Sequence, residues 1–94
     1  MRLLFICTRG EHRSARAAEL YGGVARGIDD VTEDDLYADL VFVMEDWHRE
    51  TIAKKFPNAY LQARIITLNI PDIYDKNSPG LKRAVESAVE PWLE

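Results

Sequence analysis

The chain has 94 residues, of which 47% are hydrophobic and 30% are charged, a composition ordinary for a globular domain. This length predicts one domain over residues 1–94 with a single modest core. The net charge of −4 argues against broad binding to nucleic acids or to anionic membranes. No apolar run approaches the length that crosses a bilayer, so we expect no membrane partner.

The single cysteine, Cys7, indicates the kind of cellular compartment in which the protein works. It excludes an intramolecular disulfide and is typical of a reducing environment. The apolar run that ends at Cys7 is too short for a secretion signal and is followed at once by charge. We therefore predict a cytoplasmic protein.

Strand-like and helix-like patterns alternate along the first half of the chain. Residues 2–7 read as a buried strand, and 13–21 as a helix that Gly22 and Gly23 end. A short, weak strand over 24–28 follows. Thr32 resembles an N-cap for one or two helical turns over 33–37.

The second half continues this alternation. The pattern predicts a central strand over 40–44, a helix over 45–56 that Pro57 ends, and a strand over 64–68. Ser78 is the expected N-cap of a last helix, in which Pro91 should cause a kink or an end near Glu90. The core stripe of that helix is Leu81, Ala84, Val85, Ala88, Val89 and Trp92. Such alternation indicates an α/β fold with a parallel sheet.

A candidate anion site follows the first strand. Arg13 stands six positions after Cys7 and begins the predicted helix. Loop amides and a helix N-terminus attract anions, and arginine binds phosphate oxygens bidentately. The positive electrostatic field of these groups should also lower the pKa of Cys7 and so favour the nucleophilic thiolate. The alternative is that Cys7 is a buried, inert core residue.

The motif Cys7 to Arg13 followed by Ser14 resembles the signature of the low-molecular-weight protein tyrosine phosphatases. Residues 38–45 resemble the third strand and following turn of that family, and 70–74 its general-acid loop. The closest likeness is to the short, tyrosine-phosphatase-like bacterial branch. The resemblance implies a three-layer sandwich with a four-stranded parallel sheet in the order 2-1-3-4 and a shortened second strand and helix.

This resemblance implies a two-step hydrolysis. Cys7 would attack phosphorus and form a phosphocysteine, which water would then hydrolyse. Arg13 would stabilise the transferring phosphoryl group, and Asp72 would act as general acid and then as base. Turn formation is the alternative role for Asp72, with Asp75 and then Asp46 as reserve acids.

The remaining candidate residues would bind substrate. Ser14 either donates a hydrogen bond to the thiolate or only starts the helix. Tyr74 would form an aromatic wall and Trp47 the opposite side, together with His48, unless these side chains pack in the core. The loop residues of the substrate site are Thr8, Arg9, Gly10, Glu11 and His12.

The loop differs from the family pattern. Arg9, Gly10 and Glu11 stand where the family usually carries Gly-Asn, so the asparagine contact that braces the loop is missing. His12 replaces a second cysteine, which removes a protective disulfide partner for Cys7. Ile73 replaces a proline of the acid loop.

We therefore predict a phosphatase that acts on phosphorylated proteins or small phosphomonoesters. The alternatives are a phosphate- or phosphotyrosine-binding module with little turnover, and an arsenate reductase that uses an external thiol. No cofactor and no metal are expected, because Cys7, His12 and His48 lack the usual ligand spacing. The sequence does not indicate an oligomeric state.

Overall fold

We describe residues 1–93 in a computed structural model. Its centre is a four-stranded parallel sheet in the order β2-β1-β3-β4. The predicted fold class and strand order are thus confirmed. The strands are β1 (Leu3–Cys7), β2 (Val24–Gly27), β3 (Leu40–Val43) and β4 (Ile65–Thr67).

Helices cover both faces of this sheet. The helices are α1 (Arg13–Tyr21), α2 (Asp46–Lys55), α3 (Pro57–Gln62) and α4 (Pro79–Leu93), and two short 3-10 turns span Ile28–Asp30 and Asp34–Tyr37. Within residues 1–93, none of the helices is long and apolar enough to cross a membrane.

The two central strands are buried along their whole length, as expected for a parallel sheet that is covered on both sides. Phe5 of β1 stacks on Phe42 of β3 with ring centroids 5.2 Å apart, and this face packs against α1 and α4. The opposite face carries Ile6 and Val43 against Ile52 of α2. Alternating side chains of the same strands therefore build two cores.

Two predicted helix ends agree with the structure, and a third, at Thr32, lies one residue before the observed N-cap Glu33. Gly22 ends α1 with a left-handed φ of 68°, and its N–H donates to the carbonyl of Ala18 at 2.8 Å. The Ser78 hydroxyl accepts from the N–H of Leu81 at 3.1 Å, which caps α4. Thr32 accepts from the N–H of Asp35 at 3.3 Å.

Two expectations about α4 were wrong, and α3 was not predicted. Pro57 ends α2 but also begins α3, since the first helical position needs no N–H donor. Pro91 lies inside α4, which continues to Leu93, so the predicted end near Glu90 is wrong, whereas the predicted kink stays a prediction. A proline inside a helix removes one N–H donor. Trp92 is 54% exposed and is not part of the core stripe.

The fold brings the candidate residues to one edge of the sheet. The segments after β1, β3 and β4 all leave the carboxyl ends of parallel strands, where ligands bind in open α/β sheets. These segments carry Cys7 to Arg13, Glu45 to His48, and Asn69 to Tyr74.

Candidate active site

The loop between β1 and α1 packs tightly against the end of β2. Gly10 has a φ of 76°, and a Cβ at this position would lie 2.5 Å from the backbone nitrogen of Gly27. A Cβ on Gly27 would in turn lie 2.8 Å from the carbonyl carbon of Arg9. Only glycine fits both positions, and together they shape the loop.

The Cys7 thiol lies at the centre of this loop and is 3% exposed. Its sulfur is 3.0 Å from the Ser14 hydroxyl oxygen and accepts from the N–H of Gly10 at 3.1 Å. Burial by itself raises the pKa of Cys7, but hydrogen bonds from Ser14, Gly10 and Arg9 outweigh it and leave that pKa below its usual value. The loop therefore favours the thiolate.

Arg13 connects the three loops. Its guanidinium is 1% exposed and donates to the Glu45 carboxylate at 2.7 Å, to the Ile70 carbonyl at 2.8 Å and to the Thr8 hydroxyl at 3.1 Å. A guanidinium has five N–H groups, so Nε–H and one hydrogen of Nη2 have no hydrogen-bond partner within residues 1–93. These two donors can serve a bound oxyanion.

Glu45 and His48 support Arg13 from the start of α2. They form a capping box, in which the backbone N–H of Glu45 donates to Nδ1 of His48 at 3.1 Å and the backbone N–H of His48 bonds to the Glu45 side chain. The hydrogen bond from Arg13 keeps the pKa of Glu45 below its usual value. Burial and the Arg13 charge lower the pKa of His48 to about 4, so the imidazole is neutral at neutral pH.

Asp72 stands at the mouth of the site. Its side chain is 63% exposed, and Oδ1 lies 3.8 Å from Nε of Arg13. The carboxyl group therefore reaches the edge of the anion site while remaining open to water. A group in this position can exchange a proton with a leaving atom or with an attacking water.

A pocket of about 290 Å³ joins these groups. The predicted catalytic residues Cys7, Arg13 and Asp72 line it, together with the predicted loop residues Thr8, Arg9 and His12. Arg9 and His12 are exposed at the rim. The lining thus has two guanidinium groups and one carboxylate, which suits a phosphate.

The other predicted residues lie around this pocket. Gly10 and Ser14 contact the thiol from within the loop and α1, whereas Glu11 is exposed and is not among the lining residues. Trp47 borders a neighbouring cavity, and its ring centroid is 4.2 Å from that of His48. Tyr74 packs on Gly80 and the core beneath α4. Their binding roles stay predictions.

The sequence reasoning missed the role of Glu45 as the ion-pair partner of Arg13. It also missed the Ile70 carbonyl, which binds the same guanidinium. Glu45 follows directly after a buried strand, and an acidic residue at that edge of the sheet is the signal that indicates it. A carbonyl group leaves no sequence signal.

Comparison with solved structures shows that other proteins share this fold. A YwlE mutant from Bacillus subtilis superposes with a TM-score of 0.66 at 18% identity, over 100% of this chain and 99% of that one. The YwlE arginine phosphatase from Geobacillus stearothermophilus gives 0.63 at 18% identity, over 98% and 92%. A cysteine-to-serine mutant of YwlE arginine phosphatase, with a phosphorylated active-site serine, gives 0.60 at 20% identity, over 96% and 90%.

The chain has the fold of the YwlE phosphatases. This agrees with the fold that the motif resemblance implied. No protein-family model matches the sequence, and a comparison with curated proteins found no significant match. The likeness to YwlE is therefore carried by the backbone, at low sequence identity.

Proposed function

We propose that this chain is a cysteine-dependent phosphatase that hydrolyses phosphomonoesters. One observation carries the proposal: the hydrogen-bonded Cys7 thiol shares a single pocket with the Arg13 guanidinium and the Asp72 carboxyl group. Nucleophile, anion-binding group and candidate acid are the three parts that phosphoryl transfer through a covalent intermediate requires.

In the first step the Cys7 thiolate attacks phosphorus. The sulfur–phosphorus bond forms while the bond to the leaving oxygen breaks, and Asp72 delivers a proton to that oxygen. Loop N–H groups and the two remaining donors of Arg13 stabilise the equatorial oxygens. The hydrogen bonds from Ser14 and Gly10, which support the thiolate before attack, also make the sulfur a better leaving group in the second step.

In the second step water attacks the phosphocysteine. Asp72, now a carboxylate, accepts a proton from this water, the sulfur–phosphorus bond breaks and inorganic phosphate leaves. The exposed position of Asp72 supports this role, because the base needs access to a water molecule. The phosphorylated serine carried by the YwlE cysteine-to-serine mutant supports a covalent route on this fold.

The substrate class has two candidates. The motifs favour phosphotyrosine in proteins or a small aryl phosphate, for which Tyr74 and Trp47 are the predicted aromatic contacts. The similarity to arginine phosphatases favours phosphoarginine instead, which is a phosphoramidate and not a phosphomonoester, so that Asp72 would deliver its proton to a leaving nitrogen. Turnover of a phosphotyrosine peptide and of a phosphoarginine peptide, measured side by side, decides between them.

The phosphatase proposal is tested by hydrolysis of para-nitrophenyl phosphate from pH 5 to 8 with EDTA present. We expect turnover by the native chain and its loss in Cys7→Ser. Asp72→Asn should lower the rate about 100-fold, as is usual for a general acid. Asp34→Asn, an exposed aspartate in a 3-10 turn, is the matched control and should retain full activity.

Other outcomes identify the alternatives. Tight vanadate binding without turnover would make the chain a binding module, and reduction of arsenate with glutathione or thioredoxin would make it a reductase. Activity that requires a metal ion would contradict the cysteine mechanism. We further propose that the protein works in the cytoplasm, on the basis of its single unpaired cysteine.

A further inference from the structure

The Thr8 side chain has an unusual hydrogen-bond environment. Its hydroxyl oxygen lies 3.1 Å from Nη2 of Arg13 and 3.2 Å from Nε2 of His48. A guanidinium nitrogen can only donate, so the hydroxyl oxygen accepts from Arg13. Whether the contact with His48 is given or received depends on the tautomer of the imidazole.

The other ring nitrogen of His48 fixes this tautomer. Nδ1 faces the backbone N–H of Glu45 at 3.1 Å, and an amide N–H can only donate. Nδ1 must therefore be the unprotonated acceptor, and the neutral ring carries its hydrogen on Nε2. The pKa of His48, which burial and Arg13 lower to about 4, keeps the ring neutral. Nε2 consequently donates to Thr8.

The Thr8 oxygen thus accepts two hydrogen bonds, and its own hydrogen remains to be placed. A hydroxyl group has two acceptor lone pairs and one donor hydrogen. Within residues 1–93 the hydrogen-bond partners of this oxygen are the two donors on Arg13 and His48, so its own hydrogen has no acceptor there. Thr8 lines the same pocket as Cys7, Arg13 and Asp72. A bound oxyanion there would offer the missing acceptor.

We propose that the Thr8 hydroxyl donates a hydrogen bond to the oxyanion in this pocket, and that His48 is the positioning residue that turns this hydroxyl into a donor. Arg13 and His48 occupy the oxygen from two sides, which orients the hydrogen before the anion arrives. A donor that is already oriented needs no reorganisation when negative charge develops on the phosphoryl oxygens. The inference rests on the proposed function of the pocket.

The test measures the affinity for tungstate, a nonreactive oxyanion, by calorimetry. Thr8→Val keeps the shape of the side chain and removes the hydroxyl group, so we expect the dissociation constant to rise about tenfold or more, as for a lost hydrogen bond to a charged group. Thr8→Ser should restore most of the affinity. Thr51→Val is the matched control, because the Thr51 hydroxyl donates only to the Trp47 carbonyl at 2.8 Å.

The role of His48 is tested by a double-mutant cycle. His48→Phe removes the donor and should weaken tungstate binding, whereas His48→Gln retains an amide hydrogen near Nε2 and should weaken it less. The double variant Thr8→Val with His48→Phe should lose less affinity than the sum of the two single losses, because the contact from His48 to the Thr8 hydroxyl is removed in both single variants. Nitrogen NMR of His48 should show the Nε2–H tautomer, with a shift when tungstate binds.

The outcomes separate this inference from the proposed function. A native chain that binds tungstate but hydrolyses neither a phosphomonoester nor phosphoarginine contradicts the proposed phosphatase activity, and the Thr8 variants still test the inference. Equal tungstate affinity of Thr8→Val and the native chain overturns the inference alone, as does an Nδ1–H tautomer of His48. A native chain that binds no oxyanion contradicts both.

Discussion

Acid should destabilise this protein through His48. The side chain is fully buried, and its pKa is lowered from 6.5 to about 4 by burial and by the Arg13 charge. Between these two values the unfolded chain binds a proton that the folded chain does not. Stability therefore falls as the pH falls through this window.

The magnitude follows from the two pKa values. With 6.5 for the unfolded chain and about 4 for the folded chain, the loss is close to zero at pH 7, about 2 kcal/mol at pH 5, and levels off near about 3 kcal/mol below pH 4. Two kilocalories are a large share of the stability of a small domain, which is about 5–15 kcal/mol. The effect is thus within reach of an ordinary denaturation experiment.

Urea unfolding at pH 7 and at pH 5 measures this pH-dependent loss of stability. The free energy of unfolding of the native chain should fall more between these pH values than that of His48→Gln, by about 2 kcal/mol. Cys7 and Glu45 also titrate, but they are unchanged in the variant, so the difference isolates His48. His12→Gln, at the exposed histidine of the phosphate loop, is the control and should behave as the native chain. Equal losses in the native chain and in His48→Gln would refute the reasoning.

Three further predictions concern the loop, the ion pair and the core. Gly10→Ala should abolish vanadate binding, since its Cβ would lie 2.5 Å from a backbone nitrogen; Gly22→Ala, at a similar positive φ but in open space, should bind vanadate normally. Glu45→Gln should lower kcat/KM for para-nitrophenyl phosphate about tenfold, because it removes the carboxylate charge that lies 2.7 Å from Nη1 of Arg13. An unchanged kcat/KM would show that this ion pair does not position Arg13 for catalysis. Phe42→Ala should cost about 3–5 kcal/mol in urea unfolding, because the ring is fully buried and stacks on Phe5, and a cost below about 1 kcal/mol would contradict that packing.

Much of the fold could be predicted because local and long-range signals agree. The short, uninterrupted apolar run before Cys7 favours a buried strand, and the structure has β1 there over Leu3–Cys7. The glycines after Tyr21 and the serine before Pro79 mark helix ends through their backbone and hydrogen-bond chemistry. These signals act within a few residues, so a single sequence is enough to find them.

Prolines were the main source of error in the predicted elements. The same residue can end one helix and begin the next, as Pro57 does, and the sequence does not distinguish these cases. Pro91 removes one N–H donor from α4 but does not end the helix. Whether a helix continues past a proline depends on tertiary packing, which a single sequence does not show.

The sequence pointed to groups that line the candidate pocket, but not to the contacts that support them. Their spacing between a predicted strand and a predicted helix indicated Cys7 and Arg13, and the family resemblance indicated Asp72; the structure brings all three into one pocket. The contacts between Thr8 and His48, 40 positions apart, arise from the order of the strands. Such pairs become visible only when the loops of β1 and β3 meet at the same edge of the sheet.

The central claim is that phosphate passes through Cys7. The most direct measurement is to mix the native chain with a phosphomonoester, quench with acid within the first turnover, and locate the phosphoryl group by peptide mass spectrometry. The account predicts one phosphoryl group on the Cys7 sulfur, which disappears as inorganic phosphate is released. Hydrolysis without a phosphoryl group on Cys7 during the first turnover would contradict it.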